Sequence, residues 1–188
     1  MVPKLTLLFL LGAVCAARAD LDLTPTIQTV TQEQTPVSHV AFHDGAKAIL
    51  YDPPHGWLCE GSHDFASLSI AGYSQAHAFI ASASKLRVPA LDDKAEALII
   101  QKPALLGLPK GSKGIVITAF ILNPLVIDSH NTLEIQMTYS FFGQKCSRSL
   151  LLCDRNGAEV SFVLDCLAPD FAKRAPLFRR SLYSIENL

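Results

Sequence analysis

The sequence is poor in charge and lacks the features that mark nucleic-acid-binding, membrane-spanning or repeat proteins. Charged residues make up 18% of its 188 residues, and the formal net charge is −1. A chain without a positive excess gives no reason to expect nucleic acid or an anionic membrane as a partner. Beyond the apolar run at the N-terminus, no stretch is long enough to span a bilayer. No internal repeat is present, which excludes solenoid architectures.

Residues 1–19 have the pattern of a secretory signal peptide. Lys4 supplies the positive start, residues 5–14 form the apolar run, and Ala17-Arg18-Ala19 resembles a cleavage site before Asp20. Cleavage there would remove two basic residues and no acid, so the mature chain would be mildly acidic. The sequence therefore predicts an exported protein, periplasmic or extracellular, with no transmembrane segment in the mature chain.

The composition after the signal peptide predicts a short leader and one domain. Residues 20–38 are rich in Thr, Gln and Pro, which is typical of a flexible segment. Residues 39–188 are numerous enough to bury a single hydrophobic core.

Within that domain, apolar patterns predict both strands and helices. Residues 65–71 alternate apolar with serine, and residues 115–122 are rich in β-branched side chains, so both predict strands. Residues 75–86 and 92–102 have helical composition and spacing. Together with the C-terminal third, this order predicts an α+β fold in which an antiparallel sheet packs on helices.

Residues 133–185 predict a three-stranded antiparallel meander closed by an amphipathic helix. A type II′ turn at Gly143 would pair Phe142 with Lys145. For the second turn, a three-residue loop would pair Asp154 with Ala158, because a two-residue Asn-Gly loop mixes polar with apolar partners. This register collects one apolar face and leaves the other face wet; the apolar set is Ile135, Met137, Tyr139, Phe141, Leu150, Leu152, Val160, Phe162 and Leu164.

The closing helix is expected to begin at an N-cap, Asp170, and to cover the apolar face. Phe171, Phe178, Leu182 and Ile185 recur at near-helical spacing, while the basic residues fall mainly elsewhere and are interpreted as a solvated face. A proline at position 176 predicts a kink or a break.

Two features together resemble PsbP/Mog1-like domains. Tyr51-Asp-Pro-Pro-His-Gly-Trp57 ahead of a strand is similar to the opening segment of that family, and the closing Phe/Leu-rich helix contains a similar Ser181-Leu182 step. The layout would cover residues 49–185, and the chain also looks like exported bacterial proteins of this size. The resemblance implies a binding or accessory role rather than catalysis, and it assigns no functional residue.

The predicted register places Cys146 directly opposite Cys166, at a Cα separation of roughly 4.5–5.5 Å that a disulfide can bridge. The alternative is a pair of small buried thiols. Whether Cys59 and Cys153 meet stays open.

Three further patterns are candidates for chemistry or binding. Gly72-Tyr-Ser-Gln-Ala76 resembles the nucleophile elbow of cutinase-type hydrolases, with Ser74 as nucleophile, although Ala76 replaces the last glycine. His55, Cys59 and His63, spaced by four, would align as metal ligands on a helix, but the intervening glycines favour loop histidines.

Tyr51, His55 and Trp57 form an aromatic cluster that is either a binding rim or part of the core. No catalytic constellation is complete and no cofactor is expected. The sequence therefore favours an exported, non-catalytic binding or accessory domain of the cell envelope that contacts an envelope protein or a small ligand. A secreted serine hydrolase and a metal-binding envelope protein are the alternatives.

Overall fold

Ten strands and two α-helices form the part of the chain that the computed structural model describes, residues 21–188. The predicted signal peptide lies outside these described residues. In chain order the elements are β1 (Leu21–Gln32), β2 (Thr35–Asp44), β3 (Lys47–Tyr51), β4 (Trp57–Ser62), β5 (Phe65–Ile70), β6 (Tyr73–Ala83), α1 (Asp93–Gln101), a 3-10 turn (Pro103–Leu106), β7 (Lys113–Leu122), β8 (Thr132–Phe141), β9 (Gln144–Arg155), β10 (Ala158–Leu167) and α2 (Ala168–Leu182).

The strands form two antiparallel sheets. The larger sheet has seven strands in the order β4-β5-β6-β10-β9-β8-β7, and the smaller has the order β1-β2-β3. α1 and the 3-10 turn pack on one face of the large sheet, and α2 and the small sheet pack on the other. The predicted α+β class is confirmed, and neither helix in residues 21–188 is long and apolar enough to cross a membrane.

The large sheet is therefore buried on both faces at its centre. On the α2 side, Leu151, Val160 and Phe162 pack with Phe178 of the helix and Tyr51 of the small sheet. A separate core on the α1 side contains Leu133, Ile135, Met137, Leu150, Leu152 and Val163. Because both faces are dry, apolar residues follow one another along β9 and β10 instead of alternating with polar ones.

This two-sided burial explains why the predicted register is wrong. Both turns are two-residue loops, with Phe141 opposite Gln144 and Arg155 opposite Ala158. Asn156 and Gly157 have φ values of 54° and 83°, as a type I′ hairpin turn requires. The first hairpin is shifted by two residues from the prediction, which preserves its faces, but the second is shifted by one, which reverses them.

The predicted apolar face is consequently divided between two cores. Leu150 lies in the α1 core, whereas Phe162 lies in the α2 core. β8, β9 and β10 also belong to a seven-stranded sheet rather than to a separate three-stranded unit. The chain therefore does not form the predicted sheet with one solvent-exposed face.

Two other predicted segments are corrected. Residues 21–38 are not a flexible leader, because β1 pairs with β2 from Gln32 opposite Thr35 to Leu21 opposite Asp44. Residues 75–86 are not a helix, because β6 lies between β5 and β10 and buries Ala78 and Ile80 in the α2 core. In both segments, pairing with neighbouring strands outweighs local composition. The predictions for α1, β5 and β7 are confirmed.

α2 is one continuous helix that begins earlier than predicted. Its N-cap is Leu167, and Asp170 lies in the first turn rather than at the cap. Pro169 fits that turn because a proline at the first helical positions lacks only an N–H that has no intrahelical partner. Phe178 and Leu182 are each 3% exposed, so the helix does bury its apolar face.

The register also separates the two cysteines expected to be bridged. Cys146 is opposite Leu167, and Cys166 is opposite Ser147, so the two side chains leave opposite faces of the sheet. Cys59 and Cys153 lie on β4 and β9, with β5, β6 and β10 between them. All four cysteines of residues 21–188 are free thiols.

We expect exported protein to carry these four thiols unbridged, because neither pair can meet without moving whole strands. Denaturation without reductant followed by alkylation should add one label to each of Cys59, Cys146, Cys153 and Cys166, as measured by intact mass. A protein that takes up two labels fewer until it is reduced would contradict this register.

Candidate binding surface

α2 concentrates the positive charge of the molecule. It carries four basic residues, Lys173, Arg174, Arg179 and Arg180, against one acidic residue, Asp170. The rest of the described chain has ten basic and fifteen acidic residues. One helix is therefore basic on an otherwise acidic protein, and this asymmetry favours an anionic partner for the helix.

An open groove of about 630 Å³ runs along this helix, and we refer to it as the α2 groove. Apolar and aromatic side chains dominate its lining, and two arginines and one glutamine complete it. The lining residues are Gln136, Phe171, Ala172, Ala175, Pro176, Leu177, Arg179, Arg180 and Tyr183. Aromatic and arginine side chains are enriched in protein–protein interfaces, and this lining has that character.

Two lining residues, Arg179 and Gln136, are held by a buried carboxylate that does not itself line the groove, Glu134 on β8, which is 3% exposed. It accepts hydrogen bonds from Arg179 Nη2, from Gln136 Nε2 at 2.9 Å and from Ser149 Oγ at 2.8 Å. Burial alone would raise the pKa of Glu134, but these donors stabilise the carboxylate, and the net effect lowers its pKa. Arg179 is therefore committed to positioning the helix over β8.

The other charged residues of α2 differ in how they are held. Asp170 accepts a hydrogen bond from the Tyr73 hydroxyl, and the Arg174 guanidinium lies 5.0 Å from the centre of the Tyr73 ring. Lys173 and Arg180 are exposed, and within residues 21–188 neither forms an ion pair. Arg180 is thus the exposed cation that lines the groove without a structural task.

Next to the groove lies β7, the edge strand of the large sheet. Gln136 of the groove is paired with Ala119 of β7, and Glu134 is paired with Ile121. On this side of the strand, Val116 is 56% exposed and Ile121 is 37% exposed. The apolar surface of the groove therefore continues onto the sheet edge.

A second cavity, of about 560 Å³, lies where β1 begins and where β9 turns into β10. Its charged groups already have partners within the described residues, because Arg155 forms an ion pair with Asp44, Glu159 accepts hydrogen bonds from Arg87, and Asp64 lies 2.9 Å from His63 Nδ1. We therefore regard the α2 groove as the better candidate.

The most deeply buried ion pair lies on the α1 side and has a structural task. Arg148 and Asp165 are joined at 2.5 Å, and Asp165 also accepts a hydrogen bond from the Tyr139 hydroxyl at 2.9 Å. The Arg148 guanidinium donates in addition to the carbonyls of Leu106 and Gly107, at 3.1 and 2.8 Å. It thereby fixes the 3-10 turn on the sheet, and removing either charge would cost about 3–5 kcal/mol.

His77 gives this cluster a partly exposed edge. Its Nε2 atom lies 3.8 Å from Asp165, and its side chain is 56% exposed. The cluster contains no activated nucleophile, because burial, with a further contribution from Asp165, raises the pKa of the nearby Cys146 thiol. Burial likewise raises the pKa of Cys59 to about 11 and of Cys166 to about 12.

The structure places Ser74 near the start of β6, exposed, just after the hairpin turn at Gly72. A nucleophile elbow requires a strand followed directly by a helix, and here a strand follows a strand. The geometry that would activate this serine is therefore not formed.

The candidate metal ligands are spread along an exposed hairpin. Cys59 lies in β4, and His55 is exposed in the turn before that strand. His63 lies in the turn before β5, where its Nδ1 atom is 2.9 Å from Asp64 Oδ1. Within residues 21–188, no group of three or more His, Cys, Asp or Glu side chains has the arrangement to hold a metal ion.

The aromatic cluster is divided between core and surface. Tyr51 is fully buried, and because the Ser181 hydroxyl donates to the Phe178 carbonyl at 2.7 Å, the Tyr51 hydroxyl donates to Ser181 Oγ at 2.9 Å. Trp57 stacks on Phe178 with ring centres 6.4 Å apart. His55 alone is exposed. Tyr51 thus holds α2 against the small sheet, and Trp57 holds it against β4 of the large sheet.

Sequence reasoning did not identify the α2 groove. The amphipathic pattern correctly placed the basic residues of α2 away from the core. It could not show that the helix packs on the sheet only as far as β8 and leaves β7 uncovered. The only available signal was the concentration of basic residues in one helix of an acidic chain.

Comparison with protein-family models and with curated proteins finds no match. Comparison with solved structures does find the fold. The solution structure of cyanobacterial PsbP (CyanoP) from Synechocystis sp. PCC 6803 has a TM-score of 0.53 at 10% identity, covering 95% of this chain and 99% of that one. The Saccharomyces cerevisiae Ran-binding protein Mog1p has a TM-score of 0.51 at 9% identity, covering 87% and 96%.

A third structure is a Pseudomonas aeruginosa protein of unknown function, a putative regulator, with a TM-score of 0.51 at 9% identity, covering 86% of this chain and 97% of that one. At these identities the likeness establishes the fold alone. The PsbP/Mog1-like resemblance predicted from the sequence is confirmed at that level.

The lowered pKa of Glu134 predicts a pH dependence of folding stability. A carboxylate whose pKa is lower in the folded state contributes stability above its unfolded pKa and loses it as the pH falls through the folded pKa. We expect the free energy of unfolding to decrease as the pH falls below the ordinary titration range of glutamate. Glu134→Gln should make this decrease shallower and should lower the free energy of unfolding at neutral pH. Urea unfolding at a series of pH values measures both effects, and an unchanged acid limb in the variant would contradict the assignment.

Proposed function

We propose that this chain is an exported, non-catalytic accessory domain of the cell envelope that binds an acidic segment of another protein through the α2 groove. The observation that carries the proposal is the position of Arg180. This exposed cation has no partner within residues 21–188, and it lies beside apolar surface on an otherwise acidic molecule.

The chemistry of the groove supports recognition rather than reaction. Its lining has no thiol, histidine or carboxylate, and the nearby carboxylate of Glu134 is held by three donors. The apolar lining offers area that would be removed from water on binding, and the arginines select charge. An acidic segment with apolar side chains matches both properties.

The fold is compatible with this role. Mog1p, which has the same fold, is a Ran-binding protein. The proposal carries over from that protein only the capacity of the fold to present a protein-binding surface. Export rests on the signal-peptide pattern of residues 1–19.

Reversing the charge of Arg180 tests the proposed site. A displayed library of random peptides, selected on residues 20–188, should yield binders enriched in Asp and Glu. We expect Arg180→Glu to weaken those peptides about fivefold to tenfold, since an exposed charge pair contributes about 0.2–1 kcal/mol and the reversal adds repulsion. Titration of each peptide against the wild-type and variant proteins measures the change.

Lys94→Glu is the matched control, because it makes the same change of charge at an exposed position of α1, on the other side of the sheet. It should leave the affinities within about twofold. Selection of peptides without an acidic bias, or equal losses in both variants, would overturn the proposed site.

Export is tested separately. When the full chain is produced in a bacterial host with its own N-terminus, the protein outside the cytoplasm should begin at Asp20, because Ala17-Arg18-Ala19 has the small-residue cleavage pattern. Intact mass of the periplasmic or extracellular fraction measures the start. A product found only in the cytoplasm with Met1 retained would contradict export.

A further inference from the structure

β7 ends the large sheet with an open edge. Among the residues that the structure describes, no segment pairs with its outer side, and the two isolated bridges lie elsewhere, between Leu50 and Glu186 and between Ile127 and His130. The opposite end of the sheet differs, because the small sheet lies against it and the Leu23 amide donates to the His63 carbonyl at 2.7 Å. The exposed edge of β7 is thus left with unpaired backbone groups.

The sequence of this strand does not protect the edge. From Gly114 to Leu122 it contains no charged residue, and most of its side chains are β-branched or aromatic. Val116, Ile121 and Leu122 are 56%, 37% and 36% exposed. An exposed, apolar and uncharged edge is a template for pairing with another strand, and natural proteins usually protect such edges with charge.

We infer that the edge of β7 accepts a β-strand from an acidic segment of another protein, which thereby extends the seven-stranded sheet. This inference deepens the proposed function and rests on it. The added strand would make main-chain hydrogen bonds to β7 and would turn alternate side chains toward the basic helix.

Charge complementarity indicates which partner fits the edge. Arg179 reaches Glu134, which is paired with Ile121 of β7, and the exposed Arg180 lies beside it in the same groove. An added strand would lie about 10 Å from β8, or two strand spacings, which is close to the Debye length at about 0.1 M salt, so its attraction to the basic helix should weaken as the salt concentration rises. Acidic residues on the α2-facing side of that strand would therefore be favoured.

The shape of the edge favours a short foreign strand over a second copy of the chain. β7 has two register shifts, between Lys113 and Val116 and between Ile117 and Ala119. A copy would have to match its own bulges against these, whereas a short segment has none of its own and can adjust its register to a single bulged strand. A second β7 strand would also offer Arg180 no anionic partner, because residues 113–122 contain no Asp or Glu.

The experiment uses residues 20–188 and a synthetic peptide in which Glu alternates with Val, with a Lys–Val peptide as the charge control. Binding of the Glu–Val peptide should slow amide hydrogen exchange along β7, measured by NMR, and the Lys–Val peptide should bind at least about tenfold more weakly. Val116→Glu should weaken the Glu–Val peptide about tenfold, because a like charge on the α2-facing side of the edge repels the acidic strand. Val126→Glu makes the same change at an exposed valine (62%) in the loop after β7 and should leave the affinity unchanged.

Failure of the inference and failure of the proposed function give different results. If acidic library peptides bind and respond to Arg180→Glu while β7 amides keep their exchange rates, the proposed function stands and strand addition is overturned. Strand addition is likewise overturned if acidic library peptides bind but the Glu–Val peptide does not, whereas a library that yields no acidic binders overturns the proposed function itself. Slower β7 exchange that appears only as protein concentration rises, without peptide, would assign the edge to a second copy and overturn the inference.

Discussion

Burial of β9 and β10 on both faces is the constraint on which the rest of this structure depends. A strand buried on two sides has no wet face for polar residues, so every polar side chain that it carries must find a partner inside the protein. Arg148 and Asp165 neutralise each other on the α1 side. The same rule applies one strand away on the α2 side, where Glu134 receives Arg179. These pairs also attach the outer layers, since Arg148 holds the 3-10 turn and Arg179 holds α2.

The same constraint explains which parts of the fold the sequence could predict. Existence and type of the last three strands and of both α-helices follow from local pattern. Register does not, because apolar residues on both faces remove the period of two that would distinguish one pairing from the next. The decisive information lay in Asn156-Gly157, whose positive φ values define a two-residue turn. A register chosen to give one apolar and one solvent-exposed face overrides this turn preference. It is therefore wrong by one residue in the second hairpin, and it places Cys146 opposite Cys166.

The candidate site was predictable only in composition. The pattern of α2 identified Phe178 and Leu182 as buried and the arginines as outside the core. It could not separate Arg179, which has a buried carboxylate as partner, from Arg180, which has none within residues 21–188. That distinction depends on Glu134 of β8 facing the helix, and the facing side of β8 follows from tertiary packing. Tertiary packing also decides between the two interpretations of Trp57, which is a core residue because Phe178 stacks on it.

Unequal cover of the sheet connects its stability with the proposed binding. On the α1 side the layer reaches β7, where Ile117 and Phe120 pack against the core. On the other side α2 lies over β9 and β10, and Val116 and Ile121 are left exposed. The edge strand is therefore anchored by one face and open along its outer side and its other face. Because the packing of Ile117 and Phe120 already holds β7 extended, the proposed pairing would cost little conformational entropy on the side of this strand.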